Sequence, residues 1–156
     1  MVIYTIGHSN LPLEQFLRVL KLHAIGQVVD VRSHPYSRFA PWANSAHIKR
    51  ELRSAGIDYR FAGTELGGQP DEPSLRTPTG APDYDKMARL PRYDQAIRGL
   101  VDTARSQRIA LLCSEGDPHG SHRERLIGRS LRALGCPVDH IMPDGNLLAQ
   151  QQGTLL

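Results

Sequence analysis

The stretch IALLCSEGDPHGSHRERLIG, residues 109–128, decides the fold of this chain. Residues 109–113 form a short apolar run, which is typical of a strand buried in the centre of a sheet. The run ends in a polar loop, and SHRE at residues 121–124 has the form of a capping box, with Ser121 as the predicted helix cap. A buried strand that leads through a polar loop into a helix is the repeating unit of a parallel α/β sheet.

The same unit recurs along the chain. Short apolar runs predict strands at residues 2–6, 27–31, 57–61, 109–113 and 138–141, and apolar residues at helical spacing follow the first four. Asp58 and Arg60 alternate with apolar residues, which predicts that the third strand lies at an edge of the sheet. We therefore predict a Rossmann-like α/β fold, a single-domain three-layer sandwich with a mostly parallel sheet of about five strands.

The length of 156 residues fits one domain. We predict that residues 1–142 form this α/β domain and that residues 143–156, which show no periodicity, form a C-terminal tail. Five of the 11 prolines fall between residues 69 and 91, so this segment is predicted to be a proline-rich loop or a lid.

The composition excludes several classes of protein. Charged residues make up 22% of the chain, too few for a disordered polyelectrolyte, and no apolar run reaches the roughly 18 residues of a membrane helix. Met1 leads into VIYTIG without a signal-like segment, so we expect a cytoplasmic protein with no membrane partner. The two cysteines form no CxxC pair and are expected to be reduced. Of the 19 basic residues 16 are Arg, whose planar guanidinium suits phosphate.

Polar residues gather where the predicted strands end. The carboxyl ends of parallel strands lie at one edge of the sheet, where open α/β sheets bind ligands, so these side chains should converge. We predict Cys113, Glu115 and His122 as catalytic residues. The predicted substrate-binding residues are His8, Ser9, Asn10, Arg32, Ser33, Arg38 and Arg123.

The sequence leaves two interpretations of Cys113 open. A thiol close to a helix amino end, a histidine and an arginine is shifted toward the reactive thiolate, whereas a free cysteine in an apolar strand is more often a small buried hydrophobe. The tyrosine-phosphatase pattern of Cys, five residues and Arg is not met, because His119 occupies the sixth place.

The arginines near the strand ends also have two interpretations. Arg32, Arg38 and Arg123 can complement an anion held at exposed backbone N–H groups. Alternatively, they pair with nearby carboxylates such as Asp30 and Asp117 in a structural network.

No metal site and no cofactor are predicted. The histidines His8, His34, His119 and His122 match no zinc-binding spacing, which leaves a divalent metal as the minority alternative.

Two further segments have a functional and a structural interpretation. GTELGG at residues 63–68 lacks the spacing of a nucleotide-binding loop, and glycines that permit a turn explain it better. Tyr36, Phe39 and Trp42 form either a surface on which bases stack or a hydrophobic cover of the sheet end, with Trp42 in the core.

Four segments together resemble one known family. YTIGHSN at residues 4–10, VVDVRSHPYSR at 28–38, GIDYRFAGTELGG at 56–68 and LLCSEGDPHGSHRERLIG at 111–128 are similar, in this order, to the bacterial and archaeal family described as domain of unknown function 488. The resemblance implies an α/β sandwich with its polar motifs at one end of the sheet, and no established reaction. The family's motif commonly has a second Cys where this chain has Ser121, which argues against a two-cysteine redox cycle or a thiolate-paired metal site here.

These features predict an enzyme, a hydrolase or transferase acting on an anionic, phosphate- or nucleotide-containing substrate at the carboxyl end of the sheet. Two alternatives stay open. A noncatalytic module that binds nucleic acid or a nucleotide predicts affinity that falls steeply with salt and no turnover. A protein-interaction domain predicts an apolar surface patch in place of a polar cleft. The sequence leaves the oligomeric state open.

Overall fold

The computed structural model describes residues 1–38 and 40–148 of the chain. The strands are β1 (Ile3–Gly7), β2 (Gln27–Asp30), β3 (Asp58–Phe61), β4 (Ile109–Cys113) and β5 (Val138–Ile141). The α-helices are α1 (Leu13–Leu22), α2 (Ser45–Ser54), α3 (Gly63–Leu66), α4 (Tyr84–Ala88), α5 (Pro91–Ala104) and α6 (Arg129–Ala133). Short 3₁₀ turns span Pro41–Ala43 and Pro73–Leu75, and a π-helical turn, Arg123–Gly128, leads into α6. Within the described residues, no helix has the length and apolar character needed to cross a membrane.

The five strands form one sheet in the order β3-β2-β4-β1-β5, and every neighbouring pair is parallel. This arrangement confirms the predicted α/β class. The fully buried strand β4 is central, and β3 lies at an edge, as its alternating charges predict. Because β4 separates β1 from β2, the strand order differs from the 3-2-1-4-5-6 order of a Rossmann fold.

Helices cover both faces of the sheet, which confirms the three-layer sandwich. The core of one face contains Tyr4, Ile6, Val28, Ala110 and Leu112 of the sheet with Phe16, Leu20, Ile48 and Leu52 of α1 and α2. The core of the other face contains Ile3, Val29, Ile109, Leu111 and Cys113 with Ile97, Leu100 and Leu131 of α5 and α6. Successive side chains of a strand point to opposite faces, so a strand covered on both sides is apolar throughout.

The directions of the connections open a crevice at the carboxyl end of the sheet. The chain leaves β2 for α2 on one face, and it leaves the neighbouring strand β4 for the π-helical turn and α6 on the other face. Loops that diverge in this way leave a crevice between them, and open α/β sheets bind ligands in such crevices.

The predicted capping box at residues 121–124 is not formed. The Ser121 hydroxyl donates to the Pro118 carbonyl at 3.0 Å, and no side chain caps the π-helical turn. The Glu124 carboxylate instead accepts from Arg132 and lies against His140. The capping prediction is wrong because both members of the box have other partners.

Residues 69–91 contain more regular structure than the proline pattern predicts, since one 3₁₀ turn and α4 lie within them. The described part of the predicted tail, residues 143–148, folds back on β5, where the Leu148 N–H donates to the His140 carbonyl at 2.8 Å. Residues 149–156 of the predicted tail lie outside the described residues. The division at residue 142 stays a prediction.

Candidate functional site

A cavity of about 450 Å³ lies between the loops that follow β2 and β4, and we call it the β2–β4 cavity. Its volume falls within the range of about 300–1,000 Å³ that is common for small-molecule sites. Residues 32–34 line one side, and residues of the 114–122 loop line another. Gly68, Gln69 and Tyr84 complete the wall.

Arg32 is only 3% exposed although it carries a charge, and it lines the β2–β4 cavity. Its guanidinium forms a bidentate pair with the fully buried Asp30, with Nε–Oδ1 at 2.9 Å and Nη2–Oδ2 at 2.8 Å. Tyr59 donates its hydroxyl to the same carboxylate at 2.7 Å, and Arg32 Nη2 also donates to the Ala43 carbonyl at 2.7 Å. This network fixes the orientation of the guanidinium.

The third nitrogen of Arg32 has no partner. Across residues 1–38 and 40–148, the buried side-chain atoms without a hydrogen bond are Arg32 Nη1, His8 Nε2 and Gln27 Oε1. An unpaired buried donor costs about 1–3 kcal/mol, so such a group in a cavity wall requires an explanation. An anionic oxygen is the best partner for an N–H on a cation.

His122 lies in the cavity wall at the start of the π-helical turn and is 9% exposed. Its Nε2 lies 3.1 Å from the Val31 carbonyl, which can only accept, so Nε2 carries the proton and Nδ1 is left as an acceptor. Burial lowers the pKa of His122, which keeps the ring neutral at pH 7. A neutral imidazole with a free nitrogen can take a proton from a substrate.

Glycines allow the loops around the cavity to pack closely. A Cβ on Gly68 would lie 2.6 Å from the His122 ring, and a Cβ on Gly67 would lie 2.2 Å from Ser33 Oγ. Ser33 Oγ also accepts from the backbone N–H of Gln69 at 2.9 Å. Neither Gly67 nor Gly68 has a positive φ. The glycines of residues 63–68 therefore serve close approach between loops, and the interpretation as turn residues is wrong at these two positions.

Glu115 and Asp117 bring two exposed carboxylates to the cavity. Asp117 accepts from the backbone N–H and the ring Nδ1 of His119, at 2.9 and 3.0 Å, and the backbone hydrogen bond lowers the pKa of Asp117. The Glu115 side chain makes no hydrogen bond within the described part of the chain. Both oxygens of Glu115 and Oδ2 of Asp117 are therefore available to a ligand.

Tyr84 and Gln69 also line the cavity, and neither was predicted as a site residue from the sequence. Tyr84 is the first residue of α4, whose N-cap Asp83 accepts from the Lys86 N–H at 3.1 Å. A helix of five residues is too short to show periodicity, but Asp83 as a cap was a usable signal.

The structure places Arg123 as a structural clamp, which does not favour its predicted role as an anion ligand. The residue is fully buried. Its Nε donates to Thr5 Oγ1 at 2.6 Å, and Nη1 donates to the carbonyls of Glu115 and Gly116 at 3.1 and 3.0 Å. Nη2 donates to the carbonyls of Thr5 and Ile141 at 3.1 and 2.6 Å. These bonds use all five guanidinium N–H groups and leave none for a ligand.

The structure places Cys113 in the core, which does not favour its predicted catalytic role. It is 0% exposed, belongs to the core on the α5 side of the sheet, and does not line the β2–β4 cavity. Burial raises the pKa of the Cys113 thiol to about 12, so the reactive thiolate is scarcely populated at neutral pH. The interpretation as a small buried hydrophobe agrees with this position.

Four predicted substrate-binding residues, His8, Ser9, Asn10 and Arg38, do not line the β2–β4 cavity. His8 is buried and donates from Nδ1 to the Ser9 carbonyl at 2.8 Å, and burial lowers its pKa. Ser9 is half-buried, and Asn10 and Arg38 are exposed. Of the ten predicted site residues, the cavity brings together Arg32, Ser33, Glu115 and His122.

The two described residues of the possible stacking surface, Tyr36 and Trp42, differ in their surroundings. Trp42 donates from its indole nitrogen to the Leu11 carbonyl at 2.9 Å, and its ring centre lies 4.8 Å from that of Phe16. Trp42 therefore packs against the core, whereas Tyr36 is 66% exposed. Phe39 lies outside the described residues.

The described residues contain no group of three or more His, Cys, Asp or Glu side chains arranged to hold a metal ion. His119 and His122 both line the β2–β4 cavity, but His119 pairs with Asp117 and His122 bonds to the Val31 carbonyl.

Comparison with known proteins identifies the family of the chain. Neither the curated proteins nor the solved structures contain a significant match. The sequence profile of the family described as domain of unknown function DUF488 matches residues 12–129, well over half of the chain. This segment includes Arg32, Ser33, Tyr84 and the whole loop from β4 to the π-helical turn. The chain therefore belongs to the DUF488 family.

Proposed function

We propose that this protein is an enzyme, a hydrolase or transferase, that acts on a small anionic substrate containing a phosphate or a nucleotide in the β2–β4 cavity. The observation that carries the proposal is the unpartnered Nη1 of Arg32, on a 3% exposed side chain of the cavity wall. A phosphate oxygen would accept from this N–H in a charge-assisted hydrogen bond.

His122 supports chemistry at this position. Its Nδ1 is the free nitrogen of a neutral ring, which makes it a general base. In a hydrolase, His122 takes a proton from a water molecule as the water oxygen attacks phosphorus. In a transferase, the attacking oxygen belongs to a hydroxyl group of a second substrate. The proton then passes to the leaving oxygen as its bond to phosphorus breaks.

Glu115 is the second proposed catalytic group. Its carboxylate is exposed at the cavity and uncommitted among the described residues. It can accept a hydrogen bond from the attacking water or hydroxyl group and so orient it toward phosphorus. Ser33 completes the wall by holding the Gln69 loop in place.

We also propose that residues 69–91 act as a lid. The segment contributes Gln69 and Tyr84 to the cavity wall, which is the position a cover over the sheet end must occupy. A lid that closes over bound substrate excludes water from the reaction.

Binding and turnover together test the proposed function. Thermal unfolding is measured with inorganic phosphate and with nucleoside mono- and triphosphates, and phosphate mono- and diesters are assayed for turnover. We expect at least one phosphate compound to stabilise the wild type, by about 2.7 kcal/mol at a hundred times its Kd. Arg32→Lys, which keeps the charge beside Asp30 but has no Nη1, should bind about tenfold more weakly and keep about half of this stabilisation at the same ligand concentration. His122→Gln should bind and fail to turn over.

Arg38, an exposed arginine outside the cavity, provides the matched control. Arg38→Gln should keep both binding and turnover. The proposal is wrong if no phosphate compound stabilises the wild type, or if Arg32→Lys keeps the stabilisation in full. Salt-sensitive binding without turnover would favour the noncatalytic nucleotide or nucleic-acid module, and no binding would favour the interaction domain.

A further inference from the structure

Tyr84 separates two concave surfaces. It lines the β2–β4 cavity, and it also lines a groove of about 200 Å³ between α4 and the π-helical turn. Its ring therefore forms part of the wall between the cavity and this groove.

The groove side of the Tyr84 ring is already occupied. The guanidinium carbon of Arg125 lies 5.7 Å from the ring centre, and Arg125 lines the groove but not the cavity. A cation over one aromatic face is a favourable contact that holds the ring in place. The opposite face of the ring has no cation–π partner among the described residues, and Tyr84 also lines the cavity.

The backbone next to Tyr84 is also held by hydrogen bonds within residues 69–91. Asp83 caps α4 through the Lys86 N–H at 3.1 Å, and the Asp83 N–H donates to the Leu75 carbonyl at 2.8 Å. An aromatic wall held in this way is preorganised, so a ligand that stacks on it loses little affinity to ordering the side chain.

The charges around the cavity indicate the chemistry of the rest of the ligand. Among the described residues that line the cavity, Arg32 is the arginine, and Glu115 and Asp117 carry the carboxylates. Burial raises the pKa of Tyr84, and Glu115 raises it further while Arg125 opposes it, so a neutral phenol lies within electrostatic reach of a carboxylate. A second anionic group of the ligand would be repelled by these carboxylates. The cavity suits a ligand with one anionic group and with N–H or O–H donors elsewhere.

We propose that Tyr84 is the specificity-determining residue of the cavity and stacks against the base of a nucleotide whose phosphate accepts from Arg32. The ribose hydroxyls and the exocyclic amino group of the base then donate to Glu115 and Asp117. This inference rests on the proposed function of the same cavity and names the substrate class within it.

Isothermal titration with adenosine monophosphate, ribose 5-phosphate and inorganic phosphate tests the inference. Stacking of a base on an aromatic side chain contributes about 1–3 kcal/mol, so the wild type should bind adenosine monophosphate about tenfold more tightly than ribose 5-phosphate. Tyr84→Phe should keep this preference, because the ring remains. Tyr84→Leu should reduce it to about twofold or less.

Tyr36→Leu is the matched control, since it removes an exposed tyrosine outside the cavity, and it should keep the preference. Equal binding of the nucleotide and the sugar phosphate by the wild type overturns the inference and leaves the proposed function standing. A preference that survives in Tyr84→Leu also overturns it. If none of the three probes binds the wild type, both the inference and the proposed function are wrong.

Discussion

Arg32 and Arg123 are both buried at the carboxyl end of the sheet, and their guanidinium groups differ in how many N–H groups are hydrogen-bonded. Arg123 uses all five N–H groups on backbone carbonyls and one hydroxyl, and it joins β1, β5 and the loop after β4. Arg32 uses Nε and Nη2 on Asp30 and Ala43 and keeps Nη1 unpartnered in a cavity wall.

The difference shows that position at a strand end does not make an arginine a ligand-binding residue. What decides the role is how many donors the surrounding chain has already used. Arg123 is surrounded by carbonyl groups that face inward from three segments, so no donor remains. Arg32 is held by the Asp30 carboxylate and the Ala43 carbonyl, and its Nη1 has no partner among the described residues.

The largest expected effect is the loss of stability on removing the Arg123 clamp. Arg123→Met leaves the carbonyls of Thr5, Glu115, Gly116 and Ile141 without their buried donor, and each such group costs about 1–3 kcal/mol when unpaired. We expect the free energy of unfolding in urea to fall by at least about 3 kcal/mol. Arg129→Met, at an exposed position in α6, is the control and should change it by less than about 0.5 kcal/mol. A loss below about 1 kcal/mol for Arg123→Met would show that Arg123 is not a clamp.

The second effect sharpens the comparison by giving both arginines the same substitution. Arg32→Lys should weaken phosphate binding by about tenfold, because a charge-assisted hydrogen bond is lost, and should reduce stability by about 1–2 kcal/mol. Arg123→Lys should reduce stability more and leave the phosphate affinity of the folded protein unchanged. Urea unfolding and phosphate titration of the two variants measure this. A loss of phosphate affinity in Arg123→Lys with none in Arg32→Lys would contradict the roles given to the two arginines.

The third effect is the change in the free energy of unfolding with pH. It is expected from His122, which lines the same cavity as Arg32. Burial lowers the pKa of His122 from its ordinary value of 6.5. The unfolded chain therefore takes up a proton at a higher pH than the folded chain does. The free energy of unfolding should fall as the pH drops below this ordinary value towards the lower folded-state pKa. His122→Gln should flatten this slope between pH 7 and pH 5, with a remainder from His8 and His140. Identical slopes for the variant and the wild type would contradict the assignment.

The smallest expected effect concerns Cys113, which lies beside the clamp. Cys113→Ala should reduce stability by about 1 kcal/mol and leave phosphate binding unchanged, because the thiol packs in the core. The native protein should also react slowly with a thiol reagent at pH 8, since the pKa of Cys113 is raised to about 12. Rapid modification of Cys113 in the folded protein would restore the nucleophile interpretation.

The fold was predictable because the sheet is buried on both faces. Residues 109–113 and 138–141 were predicted as strands with the bounds that β4 and β5 have, and the alternating charges of β3 gave its edge position. Strand order was not predictable, because apolar runs do not specify which strands are neighbours. The short helix α4 was missed because five residues cannot show a helical period.

The position of the candidate cavity was predictable from the sequence, but the hydrogen bonds of its side chains were not. The sequence places Arg32, Ser33, Glu115 and His122 after strands whose ends must meet, and all four line one cavity. The sequence does not show that backbone carbonyls accept from the N–H groups of Arg123. Every residue has a backbone carbonyl, so the residue types do not indicate where these acceptors lie. Tyr84 was missed because it enters the cavity from a segment without a regular pattern.

The most direct test of the account is a phosphate titration followed at the two arginines by nuclear magnetic resonance. The Nε–H resonances of Arg32 and Arg123 and the ring resonances of His122 are assigned and then recorded as inorganic phosphate is added. The account predicts shifts at Arg32 and His122 that saturate together, while Arg123 stays unchanged. Saturating shifts at Arg123 with none at Arg32 would contradict it.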